Sequence, residues 1–194
     1  MRLPAVLAVS LLAAAPLAAQ SAAPAASTSS TRHDATKPAL NDPTIVAIFD
    51  AANTADIETG NLAARRAQSA DVKALARQMA SDHRTVRQQG RDLAAKLHVT
   101  PTPPTDHTSA EEHAKVMQRL RTTPAAKFDC AYLEHEVAFH KAVIDAVGTS
   151  LMPAIQNADL KSFVQQVAPA FQGHMMAAEN LAKKHGCEAP ASAQ

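Results

Sequence analysis

The chain has no tryptophan, one tyrosine, five phenylalanines and five glycines in 194 residues. So few aromatics leave no stacking platform for nucleic acid, and the basic residues form no stripe that would follow a phosphate backbone. Charge of either sign is also in short supply: 19 basic side chains face 18 acidic ones, and loss of Arg2 with a leader would leave 18 of each. Neither nucleic acid nor an anionic membrane surface is a supported partner. No nucleophile–base pair, glycine-rich phosphate loop or cysteine metal motif is present, so no catalytic residue and no enzyme activity are assigned. Only two cysteines occur, Cys130 and Cys187.

What is abundant is alanine, within a hydrophobic content of 46%. Alanine-rich, glycine-poor sequence favours closely packed helices. The opening "MRLPAVLAVSLLAAAPLAAQSAAP" combines Arg2, an apolar run and small residues. It reads as a secretory signal peptide over residues 1–21, with cleavage between Ala19 and Ala23. An exported, periplasmic or cell-envelope protein is expected, with no membrane span in the mature chain and an envelope protein as the conceivable partner. Residues 22–41 are Ala/Ser/Pro-rich and patternless, a disordered spacer. The domain proper is expected over 42–187, and residues 188–194 form a loose tail.

Within the domain, Asp42 as cap and Pro43 at the first helical position start a helix that runs to about Gln68. Ser69 caps a second, which ends near His98. "TPTPPTDHTS" then forbids helix. Ser109 and Glu112 form a capping box for a short helix. Thr123 and Pro124 open the third long helix, which reaches Gly148 or a little beyond. Asn157 caps the fourth, which stops at Gly186. Four long helices, with one long link carrying a short helix, predict an all-α fold: a ferritin-like four-helix bundle with a long crossover.

Three histidines sit where apolar residues belong. At 100° per residue, His83, His140 and His174 lie at the centres of the apolar faces of their helices, and Glu136 lies just inside its face. Glu58 shares a face with Ala47, Ala51, Thr54 and Leu62. Glu58 and His83 are equidistant from the first turn, as His140 and His174 are from the second. If the crossover spans the bundle, the pairs lie about 19 Å and about 25 Å from opposite ends at 1.5 Å per residue. That places all four in one layer. Imidazole with carboxylate suits a divalent transition metal, Zn, Fe, Mn or Cu, and the expected ligands are Glu58, His83, His140, His174 and Glu136. The alternative is a metal-free structural or stress-related interaction module of the envelope, whose His–Glu contacts fix helix register. The same register puts Cys187 about 4.5 Å along the axis from the residue level with Cys130, so a Cys130–Cys187 disulfide is expected.

The segments "DIETGNLAARRAQSADVKALARQMASDH", "FDCAYLEHEVAFHKAV" and "SFVQQVAPAFQGHMMAAENL" resemble an exported, ferritin-like family of unknown function, domain-of-unknown-function family 4142. The matching features are Glu58, Asp82–His83, Phe128–Asp129–Tyr132, His140 and His174. The resemblance implies a four-helix bundle and no established activity. The sequence departs from the di-iron pattern, because Ala80 and Phe171 stand three residues before His83 and His174, where that pattern has glutamate.

Overall fold

The computed structural model describes residues 40–105 and 108–187. The expected leader, the spacer up to residue 39 and the tail at 188–194 lie outside them. The fold is all-α, with no strand among the described residues. Its helices are α1 (Asp42–Arg66), α2 (Ala70–Lys96), α3 (Thr108–Thr122), α4 (Ala125–Ala146) and α5 (Ala158–Lys184). At its end α4 continues through a π-helical turn, Val147–Leu151, and a last short turn, Met152–Ala154. That is where Gly148 and Pro153 disturb the sequence pattern. None of the described helices is long and apolar enough to cross a membrane.

The most extensive packing is α1 on α2 and α4 on α5, and the two pairs meet through α2 with α5 and α1 with α4. Gly60 is one reason α1 and α2 approach so closely. A Cβ there would lie 2.8 Å from the Ala76 carbonyl oxygen and 3.2 Å from Ala80 Cβ.

Several helix ends are satisfied by distant residues. The Asn41 side chain, rather than Asp42, caps α1 by accepting from Thr44 N at 3.0 Å. Asp42 instead accepts from Gln156 N and Asn157 N, both at 2.9 Å, which ties the start of α1 to the turn before α5. Ser69 makes no side-chain cap for α2. Asp129 of α4 accepts the Gln68 and Ser69 amides at 2.8 and 2.9 Å. Asn157 caps α5 as its position in the sequence suggests, accepting from Asp159 N and Leu160 N. These contacts put the α1–α2 turn beside the start of α4, and the turn before α5 beside the start of α1.

The link between α2 and α3 begins at the other end of α1, where Thr102 N donates to Pro43 O at 3.1 Å. It finishes at Arg66, whose guanidinium donates to the carbonyls of Leu120, Arg121 and Thr123. The same guanidinium lies 4.7 Å from the Phe128 ring centre. A cation here serves carbonyls that the end of α3 leaves without partners. The crossover thus runs along α1.

Two apolar clusters fill the interior. One, near the α1–α2 turn, gathers Leu62, Val72, Met79, Leu120, Phe128 and Leu133. Beside it Cys130 and Cys187 are joined, with Cα atoms 5.3 Å apart, and Gly186 takes a φ of 65° that lets the chain turn back. The other cluster, near the turn before α5, gathers Ile45, Ala94, Val147, Leu151 and Val164.

Candidate metal centre

Away from these clusters the interior is polar. Asn53, Asp56, Thr59, His83, Glu136, His140 and His174 are all buried. The α1 contributors recur every three residues, so they form one stripe. Glu136 and His140 are one turn apart on α4.

Each histidine is held by one ring nitrogen. Asn53 Nδ2 donates to Phe49 O at 2.7 Å, which directs Asn53 Oδ1 at His83. His83 Nδ1 therefore donates to that oxygen, at 2.8 Å. His140 Nδ1 donates to the Glu136 backbone carbonyl at 2.9 Å. His174 Nε2 donates to Asp82 Oδ2 at 3.1 Å. In a neutral imidazole the other nitrogen then carries a lone pair. Two of those nitrogens, on His83 and His140, face a carboxylate, and the third, on His174, faces His83. His83 Nε2 is 3.2 Å from His174 Nδ1. Asp56 Oδ2 is 2.6 Å from His83 Nε2 and 3.4 Å from His140 Nε2.

Closeness is not hydrogen bonding here. Despite these distances, both Asp56 carboxylate oxygens and His140 Nε2 have no hydrogen-bond partner with acceptable direction. Lone pairs that converge without a proton on the line between them repel, and among buried groups a cation or a shared proton relieves that repulsion. Donor atoms of His83, His140 and His174 all lie within 4.8 Å of one another, as do those of Asp56, Glu136 and His140.

The two acids play different parts. Burial alone would raise the Asp56 pKa, but the close His83 ring and, behind it, the His140 ring outweigh it, so Asp56 stays below the usual carboxylate range. Glu136 is pushed well above that range by burial and by the Asp56 charge, and it holds its proton. One of its oxygens sits 3.4 Å from Thr59 Oγ1. Burial lowers His140 to about 4, which keeps the imidazole neutral and its lone pair free at neutral pH. Tyr132 is buried nearby, and its hydroxyl has no hydrogen-bond partner.

Of the five residues expected in the layer, His83, His140, His174 and Glu136 are brought together. Glu58 is not among them. Its carboxylate lies at the surface, 2.8 Å from His113 Nε2 of α3. Two residues are 200° apart on a helix, so Asp56 points inward where Glu58 points out. The sequence reading missed Asp56 because α1 is buried on a wide arc, against α2 and against α4, and has no single apolar stripe. The signal that was available is the Asn53–Asp56–Thr59 spacing. Asp82, paired with His174, was legible only as the neighbour of His83.

No curated protein and no solved structure matches this chain. A family model described as a domain of unknown function (DUF4142) matches residues 18–181. That is most of the chain, which therefore belongs to the DUF4142 family.

Proposed function

We propose that the protein is an exported, ferritin-like four-helix bundle whose polar layer holds one divalent transition metal through Asp56, His83, His140 and His174. Glu136 serves as an outer partner. The observation that carries this reading is the set of three imidazoles, each anchored through one nitrogen, with donor atoms within 4.8 Å of one another and two of them, His83 and His140, facing one charged carboxylate. Anchoring of this kind, by an amide oxygen, a backbone carbonyl and a carboxylate, sets the ring tautomer of metal-binding histidines. Three imidazole nitrogens and one carboxylate oxygen suit Zn, Fe, Mn or Cu(II). Around a tetrahedral ion with bonds of about 2.0–2.1 Å, donors stand about 3.3 Å apart. The 3.2 and 3.4 Å separations agree with that spacing, and the 2.6 Å between His83 Nε2 and Asp56 Oδ2 is shorter than it. Asp56 replaces Glu58 in the proposed set because Glu58 is engaged by His113 at the surface. Export and a periplasmic or envelope location are supported by the leader-like opening and by the paired cysteines. The bundle assignment is supported by the two helix pairs and the crossover along α1.

One distance favours a second reading. His83 Nε2 and Asp56 Oδ2, at 2.6 Å, are close enough to share a proton. In that case the layer is a metal-free contact that fixes helix register in a structural or interaction module. Metal analysis of protein purified without a polyhistidine tag separates the two. It is followed by titration of Zn, Fe, Mn and Cu into metal-free wild type and the His83→Ala/His140→Ala/His174→Ala variant. Tight one-to-one binding by the wild type alone is expected, with release in acid as the imidazoles protonate. Equal, weak binding by both proteins would leave the register reading.

A further inference from the structure

Beneath α3 and the loop that precedes it lies a cavity of about 780 Å³, lined also by α1, α2, α4 and the start of α5. Its walls are mainly apolar: Val46, Phe49, Ala55, Phe139, Val143 and Phe163 all contribute. The volume is that of a small-molecule site, and an apolar space does not hold ordered water well. A second chamber of about 60 Å³ adjoins the polar layer, with His83 and His140 in its wall. Ile48, Phe49, Ala52, Phe139, Val143 and Ala146 line both spaces. The larger cavity therefore extends inward as far as the residues around the candidate metal centre.

Charge is concentrated at one corner. Arg87 and Arg91 of α2 line the cavity and share a single counter-ion, Asp50 of α1. Arg87 Nε is 3.2 Å from it, and Arg91 bonds it through two nitrogens at 2.5 and 2.9 Å. Two guanidiniums against one carboxylate leave one positive charge unmatched. The Arg91 side chain is 50% exposed, so this corner opens to solvent. On the facing wall, Glu112 is held by Lys115 at 2.7 Å and His113 by Glu58 at 2.8 Å. The remaining ionisable group, His135 of α4, is lowered to about 4 by burial and is neutral at physiological pH.

We propose that this cavity binds a single-chain amphiphile with a carboxylate head, a fatty acid, with its head on Arg87 and Arg91 and its tail among Phe49, Phe139 and Val143. A guanidinium fork matches a carboxylate in two hydrogen bonds. A neutral chain fills the same walls and leaves the cationic corner unmatched. The proposal is independent of whether the polar layer holds metal.

The test is calorimetric titration of the purified protein, metal-free and metal-loaded, with carboxylates of eight to twelve carbons and with dodecanol. One-to-one binding is expected, tightening about fourfold per added methylene until the cavity is filled. Dodecanol is expected to bind about tenfold more weakly than dodecanoate, because it lacks the charge-assisted bonds. Arg91→Gln removes the unmatched charge, so it brings dodecanoate to the alcohol's affinity and leaves dodecanol unchanged. Ala55→Phe fills the cavity and abolishes binding of both, with circular dichroism confirming the fold; if it misfolds, Arg91→Gln alone decides. Absence of saturable binding overturns the proposal. So does equal affinity for acid and alcohol in the wild type, or unchanged dodecanoate binding in Arg91→Gln or in folded Ala55→Phe.

Discussion

The apolar cluster by the α1–α2 turn and the polar layer are buried to similar depth but built to different rules. In the cluster Leu120, Phe128, Tyr132 and Leu133 are fully covered, and the helix ends around them have partners. Arg66 takes the carbonyls ending α3, Asp129 takes the amides before α2, and a disulfide joins α4 to the segment just after α5. In the layer the donors are equally well placed but not paired: Asp56 Oδ1 and Oδ2, His140 Nε2 and Glu136 Oε2 all lack hydrogen-bond partners. Stability is concentrated where polar groups are satisfied, and capacity for a ligand where they are not. Tyr132, one turn before Glu136 on α4, belongs to the cluster and its hydroxyl also lacks a partner, so the two regions meet there.

This contrast can be broken from either side. Phe128→Ala, in the cluster, is expected to cost about 3–5 kcal/mol in denaturant unfolding through the cavity it leaves, with metal affinity unchanged. The layer behaves in the opposite way. Metal at about a thousand times its dissociation constant should raise wild-type stability by about 4 kcal/mol. Asp56→Asn should remove that gain, read as the loss of a metal-dependent rise in melting temperature.

The pH dependence of the metal-free protein sharpens the comparison. His140 titrates near 4 when folded and near 6.5 when unfolded, so the unfolded chain binds more protons between those values. Its contribution is fully present above pH 6.5 and is lost as pH falls toward 4, to a total of about 3 kcal/mol. Glu136, raised in the folded state, acts in the other direction. The folded protein holds its proton, so its contribution is present below about pH 4.5 and is lost as pH rises through its folded pKa. Between pH 4.5 and 6.5 the two oppose each other. Glu136→Gln should therefore steepen the acid loss of stability by about 1.4 kcal/mol per pH unit, measured by urea unfolding across that window. An unchanged slope would show that Glu136 is not protonated in the folded state.

The smallest expected effect tests the helix pair that carries half the layer. Gly60→Ala places a methyl 2.8 Å from the Ala76 carbonyl, so α1 and α2 must separate. A cost of about 1–3 kcal/mol is expected, with a weaker metal affinity because Asp56 moves relative to His83.

The presence of the helices and the inward aim of three histidines follow from the sequence alone, because helical periodicity is a property of neighbouring residues. Asn157 and the Gly186 stop are local in this sense, and so are His83, His140 and His174 among aliphatic neighbours at helical spacing. What tertiary structure decided lies between helices. Which acid on α1 points inward could not be read from a helix buried on two sides, and packing chose Asp56 over Glu58. The polar partners just before α2 and at the end of α3 are Asp129 and Arg66, each about 55–60 residues away in sequence. Ring tautomers, too, were settled only when Asn53, Asp82 and the Glu136 carbonyl came within reach. A lone pair's direction depends on what its ring's other nitrogen meets, and those partners sit on the ring's own helix for one histidine and on other helices for two.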